Sequence, residues 1–269
     1  MGSFRYYLRA YAALVRASWL NALELRAQIL LSMLGIVFPL VMMTVWLTVA
    51  AQIGTINGWK GSDFISYYVA ATIVNYCTSN QITAQWIHDI GSGELSSKLL
   101  KPITYFQQVF CYSVGEKMFI VLFAAPLLAL LIFFMQSTQH IAGLGALVLF
   151  TVAVGLGFTL NLLMATAFGL AAFWSPQTGN LYGIWVGIGY LLSGWVAPLS
   201  MLPQGLDNIA TLLPFQGLLG FPISILTGRS TARSVIEGIV VDMLWIGTFF
   251  FLDQVLWRLG IRRYEAVGA

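Results

Sequence analysis

Residues 141–174 read IAGLGALVLFTVAVGLGFTLNLLMATAFGLAAFW. This stretch contains no Asp, Glu, Lys or Arg, and it lies inside a longer run, 118–206, that contains none either. Soluble domains carry about 25% charged residues, whereas this chain of 269 residues carries 9% and is 59% hydrophobic. Because an uncharged run of this length cannot be solvated surface, the sequence predicts an all-α membrane protein with several spans.

Six apolar segments are long enough to cross a bilayer as helices, and the first would extend for about 34 Å along its axis. A backbone inside the membrane must satisfy its own polar groups, so we expect helices rather than open strands. The six predicted spans are 29–51, 64–86, 117–135, 141–174, 178–196 and 236–257. Residues 1–269 are expected to form a single transmembrane domain.

The chain before the first span is predicted to form an amphipathic helix over residues 3–25. At about 100° per residue, Arg5, Arg9 and Arg16 fall within about 40° of one another, with apolar side chains opposite. A basic stripe of this kind is typical of a helix that lies on the anionic surface of a membrane. An ordinary solvated helix is the alternative.

A short polar stretch between the second and third spans, residues 86–102, reads WIHDIGSGELSSKLLKP. Residues 94–100 can form two helical turns, with Glu94 at the positive N-terminal end and Lys98 and Lys101 at the negative end. Glu94 and Lys98 are also four residues apart, a spacing that favours an ion pair on the helix surface. The stretch is therefore predicted to be a small cytoplasmic helix that contacts another protein.

Two of the predicted spans carry a pattern on one face. A polar stripe on the second span occupies a wedge of roughly 120°, and such a stripe faces either a partner helix or a wet cavity. The stripe consists of Tyr68, Asn75, Thr78, Ser79 and Gln85. The fifth span carries a ridge of small residues, which lets a neighbouring helix or a second subunit approach closely. The ridge consists of Gly179, Gly183 and Gly187.

The positive residues are distributed unevenly between the two sides that six spans define. Ten of the 13 Lys and Arg residues fall on the side of the termini, and three fall on the other side. Because positive loops remain in the cytoplasm, we expect both termini to be cytoplasmic. The proline-rich stretch 197–228 then lies outside. It is apolar but broken, so we expect it to dip into the membrane edge, with a short helix over residues 204–213.

Motifs for chemistry on the chain itself are absent from the sequence. No Gly-x-x-x-x-Gly-Lys-Ser/Thr motif occurs, so no nucleotide-binding P-loop is predicted. A net charge of +3 gives no indication of nucleic-acid binding. His88 and His140 fall on opposite predicted sides of the membrane, and Cys77 and Cys111 are far apart, so neither a metal site nor a disulfide is indicated.

Three acids lie in the last predicted span. Asp253 is expected to pair with Arg258 near the inner end, and Glu237 lies close to Arg233 near the outer end. Asp242 is the deepest acid, and an acid at such a depth is a functional candidate. The alternative is a buried hydrogen bond from a tyrosine or asparagine of another helix.

Four segments carry a family likeness through the order and spacing of their motifs. They are the helix over residues 3–25; the stretch with Ile90, Gly93, Glu94, Leu95, Leu99, Leu100 and Pro102, followed by Gly115, Glu116 and Lys117; the outer stretch with Gly194, Pro198, Pro203, Pro214, Phe215, Pro222 and Gly228; and the tail with Gly260, Tyr264, Glu265 and Gly268. In these segments the chain resembles the membrane subunits of ABC transporters of the type-2 permease family. Those subunits share the six-helix architecture of the G-subfamily drug exporters.

The resemblance implies a non-enzymatic permease subunit of an ATP-driven exporter in a bacterial inner membrane. Two permease subunits, identical or homologous, would pair around a cavity lined by the second and fifth spans. A dimer of cytoplasmic ATPase subunits would hold the ATP and Mg²⁺, and this chain would bind no cofactor. The N-terminal helix would be an elbow helix, and each ATPase would dock on a coupling helix over residues 93–101. The implied docking residues are Gly93, Glu94, Leu95, Lys98, Leu99 and Lys101.

Two other functions are compatible with parts of the sequence. A proton- or ion-coupled secondary transporter would use Asp242, but it leaves the stretch 86–102 and the N-terminal helix unexplained. A membrane-embedded enzyme would need a cluster of polar catalytic residues at one membrane face, and the sequence shows none. The substrate of an exporter is expected to be amphipathic or hydrophobic, because the chain is rich in aromatic residues.

Overall fold

The structure is a computed structural model that describes residues 2–24, 34–137, 144–175, 177–203 and 205–264. Over these residues the regular structure is helical and includes no strand, which confirms the all-α prediction. We number the α-helices of the described residues in chain order. They are α1 (Gly2–Glu24), α2 (Val37–Ile53), α3 (Gly61–Thr78), α4 (Ile82–Gly91), α5 (Leu95–Leu99), α6 (Tyr105–Ser137), α7 (Leu144–Leu170), α8 (Thr178–Leu192), α9 (Leu206–Leu212), α10 (Phe215–Leu218), α11 (Gly220–Leu226) and α12 (Ala232–Gly260).

Three apolar segments of the described residues are long enough to cross a membrane. One lies within α6, one covers most of α7 and the 3-10 turn that follows it, and one is α12. The three segments are Tyr105–Pro126, Gly145–Phe173 and Ala232–Gly260. The shorter helix α2 is also apolar. The chain is therefore a multi-pass membrane protein, while the count of six spans stays a prediction.

The charge-free helix α7 lies at the centre of the fold. It packs against α12, α4, α11, α10, α3 and α8. Two glycines allow the closest of these contacts. A Cβ atom added at Gly157 would lie 2.5 Å from the Gly217 carbonyl oxygen, and one at Gly169 would lie 2.4 Å from Trp86 Cβ. Small residues thus let α10 and α4 approach the central helix, as they do in packed membrane helices.

The predicted second span, 64–86, is two helices rather than one. Helix α3 ends at Thr78 and α4 begins at Ile82, with Ser79 in an extended conformation between them. Four consecutive polar residues, 78–81, occupy the break, and short polar side chains compete with the backbone for helical hydrogen bonds. The freed carbonyl of Thr78 accepts a hydrogen bond of 3.0 Å from Asn161 Nδ2 of α7. The sequence pattern predicts a polar stripe on one continuous helix, whereas the structure has a break between two helices at these residues.

Other helix bounds also differ from the prediction. The predicted third span, 117–135, begins twelve residues earlier, at Tyr105, because no proline interrupts 106–116. The predicted fifth span, 178–196, ends at Leu192 because Gly194 turns the chain with a φ of 100°. The last helix is longer than 236–257 at both ends, and the Thr231 hydroxyl caps its start by accepting a hydrogen bond from the Ser234 amide.

Parts of three predicted segments fall outside the described residues. The N-terminal helix was predicted over 3–25 and is observed over Gly2–Glu24, with residue 25 outside. In the first span, residues 29–33 lie outside, and the helix follows a 3-10 turn at Leu34–Ile36. In the fourth span, residues 141–143 lie outside, and the helix continues as a 3-10 turn at Ala171–Phe173. Residues 265–269 of the tail, as well as His140, are likewise outside.

The stretch 197–228 folds into several short helices. A 3-10 turn at Leu199–Met201 precedes α9, which corresponds to the helix predicted over 204–213, with residue 204 outside the described part. The chain then enters the bundle as α10 and α11, both of which pack on α7. Phe215 and Ile223 are buried there. More of this stretch is therefore inside the protein than the prediction of a segment at the membrane edge implied.

Candidate functional site

The segment between α4 and α6 is a compact loop built around the short helix α5. Helix α4 ends at Gly91, and Gly93 adopts a φ of 82°, a left-handed conformation that favours glycine. The helix then covers Leu95–Leu99 only, so it is shorter than the predicted range 93–101. Pro102 accounts for the early end, because a proline disfavours helical conformation in the residue before it.

The inward side of this loop is held by a buried carboxylate. Asp89 of α4 is almost fully buried, and its Oδ1 atom lies 2.6 Å from Lys98 Nζ. The Tyr105 hydroxyl at the start of α6 donates a hydrogen bond to Asp89 Oδ2. Leu95 beside them is completely buried. Three consecutive helices, α4, α5 and α6, are thus joined at one charged centre.

Further contacts fix the loop to the rest of the bundle. Gln108 Nε2 donates to the carbonyl oxygens of Lys98, at 3.0 Å, and Ile103, at 2.9 Å. The hydroxyl oxygens of Ser96 and Tyr264 lie 3.2 Å apart, which joins α5 to the segment after α12. Aromatic rings pack behind these contacts. They belong to Trp86, Tyr105, Phe106, Phe173, Trp257 and Tyr264.

The outward side of the loop presents a small mixed surface, which we call the tip surface and define as Glu94, Leu99, Leu100 and Lys101. Leu100 has 87% of its surface exposed, and the other three are exposed as well. Of the predicted docking residues, Gly93, Glu94, Leu99 and Lys101 lie at or beside this surface. Leu95 and Lys98 instead face inward, where they support it.

His88, Asp89 and Glu94 each bring one ligand atom to within 4.8 Å of the others. Both Asp89 oxygens already have partners, one of which is the Lys98 ammonium group. A positive charge at that distance repels a metal ion, so these residues fit the ion pair better than a cation site.

A polar cavity of about 590 Å³ opens beside the break between α3 and α4. Asn75, Thr78 and Ser79 of the predicted stripe line it. Tyr68 and Gln85 do not line it, and the Tyr68 hydroxyl instead donates a hydrogen bond of 2.8 Å to the carbonyl of Val196. The rest of the lining includes Asn80, Gln81, Tyr112, Ser113, Glu116, Lys117, Asn161, Tyr182, Trp185, Gly189 and Phe215.

Lys117 reaches this cavity from the middle of α6, and its Nζ atom donates a 3.3 Å hydrogen bond to Ser79 Oγ. The sequence had placed Lys117 at the cytoplasmic start of the third span. The earlier start of α6 at Tyr105 moves this charge about 18 Å of helix away from that end. The wall of the cavity therefore combines two opposite charges, Glu116 and Lys117, with amides, hydroxyls and aromatic rings.

The glycine ridge of α8 lies on an exposed face. A Cβ atom added at Gly183 or Gly187 would meet no described atom within 4 Å, and one at Gly179 would meet only Ile87 Cδ1, at 3.7 Å. Leu181, Ile184, Ile188 and Leu191 are also exposed on this helix. Over the described residues, no helix of the same chain covers the ridge.

The acids of α12 differ in their pairing. Arg233 Nε lies 2.7 Å from Glu237 Oε1, and both side chains are exposed. Asp242 and Asp253 are buried, and in the described part of the chain neither carboxylate accepts a hydrogen bond. The predicted pair of Asp253 with Arg258 is therefore not formed there. Nor does Asp242 accept the predicted bond from a tyrosine or asparagine; its carboxylate lies against Gly217.

A comparison with protein-family models matches residues 34–268 to the ABC-2 family transporter proteins. The chain belongs to this family. The recognition made from the sequence is confirmed over nearly the whole chain. No curated protein matches the sequence. Members of the ABC-2 family are membrane components of ABC transport systems and work with an ABC ATPase, so this chain is a membrane transport component of such a system.

Two residues of this ABC-2 protein's loop were missing from the predicted docking set. The available signal for Leu100 was its position next to Lys101 and Pro102 in a polar loop. Asp89 is one of several charged residues in the stretch 86–102. Its role depends on Tyr105 and Lys98 meeting it in space, which the sequence does not reveal.

Proposed function

We propose that this chain is the permease subunit of an ATP-driven exporter and that a separate ATPase subunit binds its tip surface. The observation that carries the proposal is the exposed Leu100 on a loop whose other side is held by Asp89. Exposed leucines on rigid supports, flanked by charges, are typical of protein contacts with an apolar centre and a polar rim. In this reading the loop is the coupling helix, and ATP and Mg²⁺ are bound by the partner.

A path from the tip surface to the polar cavity supports the proposal. The Lys98–Asp89–Tyr105 contacts join α5 to α4 and α6. Helix α4 leads back to the break at residues 79–81, and α6 leads to Lys117, which contacts Ser79 at that break. A force applied to α5 would therefore act on both walls of the cavity at once.

A second permease subunit would cover α8. The ridge glycines and the neighbouring leucine and isoleucine side chains form an apolar face that has no partner among the described residues. Tyr182, Trp185 and Gly189 of the same helix line the polar cavity. Pairing through α8 would thus place the cavities of two subunits next to each other. The partner is identical or homologous, and the enclosed substrate is amphipathic.

The charge distribution supports a cytoplasmic position for both termini and the tip surface. Helix α1 packs against α6, where Gly115 lies so close to α1 that an added Cβ would be 2.1 Å from Ser18 Oγ. In the exporter this helix is the elbow helix at the inner face of a bacterial cytoplasmic membrane. Transport by alternating access would then move the substrate outward.

The proposal predicts that Leu100→Asp strongly weakens ATPase binding without affecting the fold. Because Leu100 is 87% exposed, the thermal unfolding temperature should stay unchanged, whereas a charge in the apolar centre of a contact weakens it by about tenfold or more. The measurement is the amount of the partner ABC ATPase, co-expressed with this chain, that co-purifies from membranes. Leu212→Asp, at another exposed leucine in α9, is the matched control and should retain the ATPase. Equal recovery with both variants would contradict the docking assignment.

A proton- or ion-coupled secondary transporter is the second candidate, because Asp242 is buried without a hydrogen-bond partner in the described part of the chain. Buried acids in membrane helices are frequent in proton pathways. However, Asp242 does not line the cavity beside the α3–α4 break, and an ion-coupled mechanism leaves the tip surface unexplained. An exporter with an external ATPase accounts for more of the structure.

A further inference from the structure

A second cavity, of about 520 Å³, lies between α1, α4, α6, α7 and α12. Its wall is mainly apolar and aromatic. The apolar and aromatic lining residues are Tyr11, Trp86, Phe106, Val109, Phe110, Cys111, Leu162, Leu163 and Phe250, and the polar ones are Gln107, Thr166, Asp253 and Gln254. Its size is within the range of cavities that hold small organic ligands.

Two buried polar groups at this cavity have no hydrogen-bond partner among the described residues. They are the Trp86 indole N–H and the Asp253 carboxylate. Asp253 is 1% exposed. A buried carboxylate without a donor is unfavourable, so a donor that enters the cavity would be bound by it.

The charge of the cavity indicates which donor fits. Asp253 is the one carboxylic acid among the described residues of the lining, and those residues include no Lys or Arg. An anionic or phosphate-bearing molecule would therefore find no counter-charge, while a cation would find both a carboxylate and aromatic faces. The entrance points to the same class of ligand. Phe110 and Phe250, at the rim, are exposed side chains on two membrane-length helices, so the cavity opens towards hydrocarbon.

We propose that this cavity binds a cationic amphiphile, with its ammonium group on Asp253 and its apolar chain along Phe106, Phe110 and Phe250. The site is separate from the polar cavity beside the α3–α4 break, because the two share no lining residue. It does not depend on the exporter function or on an ATPase. A molecule of this class would enter sideways from the membrane.

The cavity contains its own reporter. Cys111 lines it, and the second cysteine, Cys77, can be removed as Cys77→Ser. The full-length Cys77→Ser chain in lipid nanodiscs is treated with a membrane-permeant maleimide, and the rate of Cys111 modification is measured. Submicellar dodecylammonium is added as the probe, and dodecanesulfonate, with the same chain length but a negative charge, is the control. We expect dodecylammonium to slow the modification and dodecanesulfonate to leave it unchanged.

Asp253→Asn then tests the carboxylate. Loss of one charge-assisted hydrogen bond should raise the dodecylammonium concentration needed for half-protection about tenfold or more. Asp242→Asn is the matched control, because Asp242 is also a buried acid on α12 with no hydrogen-bond partner among the described residues, and it does not line the cavity. That variant should keep the protection of the parent chain.

Several outcomes would overturn the proposal. They are equal protection by the two amphiphiles, protection that survives Asp253→Asn, and a Cys111 that does not react in the absence of any probe. If Asp253→Asn does not fold, the difference between dodecylammonium and dodecanesulfonate on the Cys77→Ser chain decides alone.

Discussion

The two ends of the helix bundle use the same chemical arrangement for different results. At one end, buried Asp89 binds Lys98 at 2.6 Å, beside the rings of Tyr105 and Trp86. At the other end, buried Asp63 binds Arg229 at 2.8 Å, and the Arg229 guanidinium lies 3.7 Å from the centre of the Trp59 ring. Each end therefore has a buried carboxylate, one basic side chain and an aromatic wall.

The difference lies in which segments each pair connects. Asp89 and Lys98 are close in sequence, so their contact shapes one loop and leaves the tip surface exposed. Asp63 and Arg229 are far apart in sequence, and Trp59 Nε1 also donates to Ser200 Oγ, so this end ties three separate segments together. Tyr67 and Trp46 add hydrogen bonds to the carbonyls of Gly194 and Val196. One pair thus builds a surface for a partner, and the other closes the bundle.

The largest effect is expected from Asp89→Ala. Removing the buried partner of Lys98 leaves it with only the longer contact to Glu94, and both the ion pair and the Tyr105 hydrogen bond are lost, so we expect a loss of about 2–4 kcal/mol in the free energy of unfolding. The ATPase should also no longer co-purify, because α5 loses its attachment to α4 and α6. Thermal unfolding in nanodiscs and co-purification measure the two effects. Glu94→Gln, which removes the longer, exposed contact of 3.7 Å to Lys98, is the control for thermal unfolding alone, because Glu94 belongs to the tip surface, and it should cost little stability. A loop that still binds the ATPase after Asp89→Ala would show that the buried pair is not its support.

A smaller effect is expected from Arg229→Ala at the other end. Asp63 would keep the hydrogen bond from the Lys60 amide, and a third of the Arg229 side chain is exposed, so about 1–2 kcal/mol should be lost. Binding of the ATPase should remain, because this end does not contact the tip surface. Arg233→Ala, in the exposed pair with Glu237, is the matched control and should not change thermal unfolding. Loss of the ATPase in Arg229→Ala would mean that the two ends are coupled.

The sequence predicted one contact in the loop at the first end and none of the contacts at the second end. Charge scarcity predicted the all-α membrane fold, because it depends on composition alone. The pair at Asp63 and Arg229 could not be predicted, since it joins residues from separate segments whose positions depend on how α11 returns to the bundle. In the loop, the spacing of Glu94 and Lys98 indicated an i,i+4 pair, which forms at 3.7 Å, but the shorter contact of Lys98 is with Asp89. A helix pattern shows which residues share a face, and it does not show which face is covered.

The sequence predicted only some of the residues that line the polar cavity, because a helix pattern does not show where a helix breaks. Asn75, Thr78 and Ser79 line the polar cavity, as the stripe suggested, because they lie within one turn of the break. Tyr68 lies two to three turns earlier and binds Val196 instead. Lys117 was placed at a helix start because the notable apolar run begins after it, although its helix begins at Tyr105. Charged residues inside long membrane helices are therefore better located by what they contact than by hydropathy.

The smallest effect is expected from Asp242→Asn, between the two ends. Unlike Asp89 and Asp63, Asp242 has no basic partner among the residues that the structure describes, and its carboxylate lies against Gly217 of α10. An amide of the same shape removes a charge that nothing compensates, so the free energy of unfolding should change by less than about 1 kcal/mol or rise slightly. ATP-driven transport, measured in proteoliposomes with the ATPase present, should be largely intact. Loss of transport with ATPase binding preserved would instead make Asp242 part of the mechanism. A buried acid that is required for transport would then favour ion coupling over an ATPase-driven mechanism. The paired acids Asp89 and Asp63 at the two ends would in that case have a structural role only.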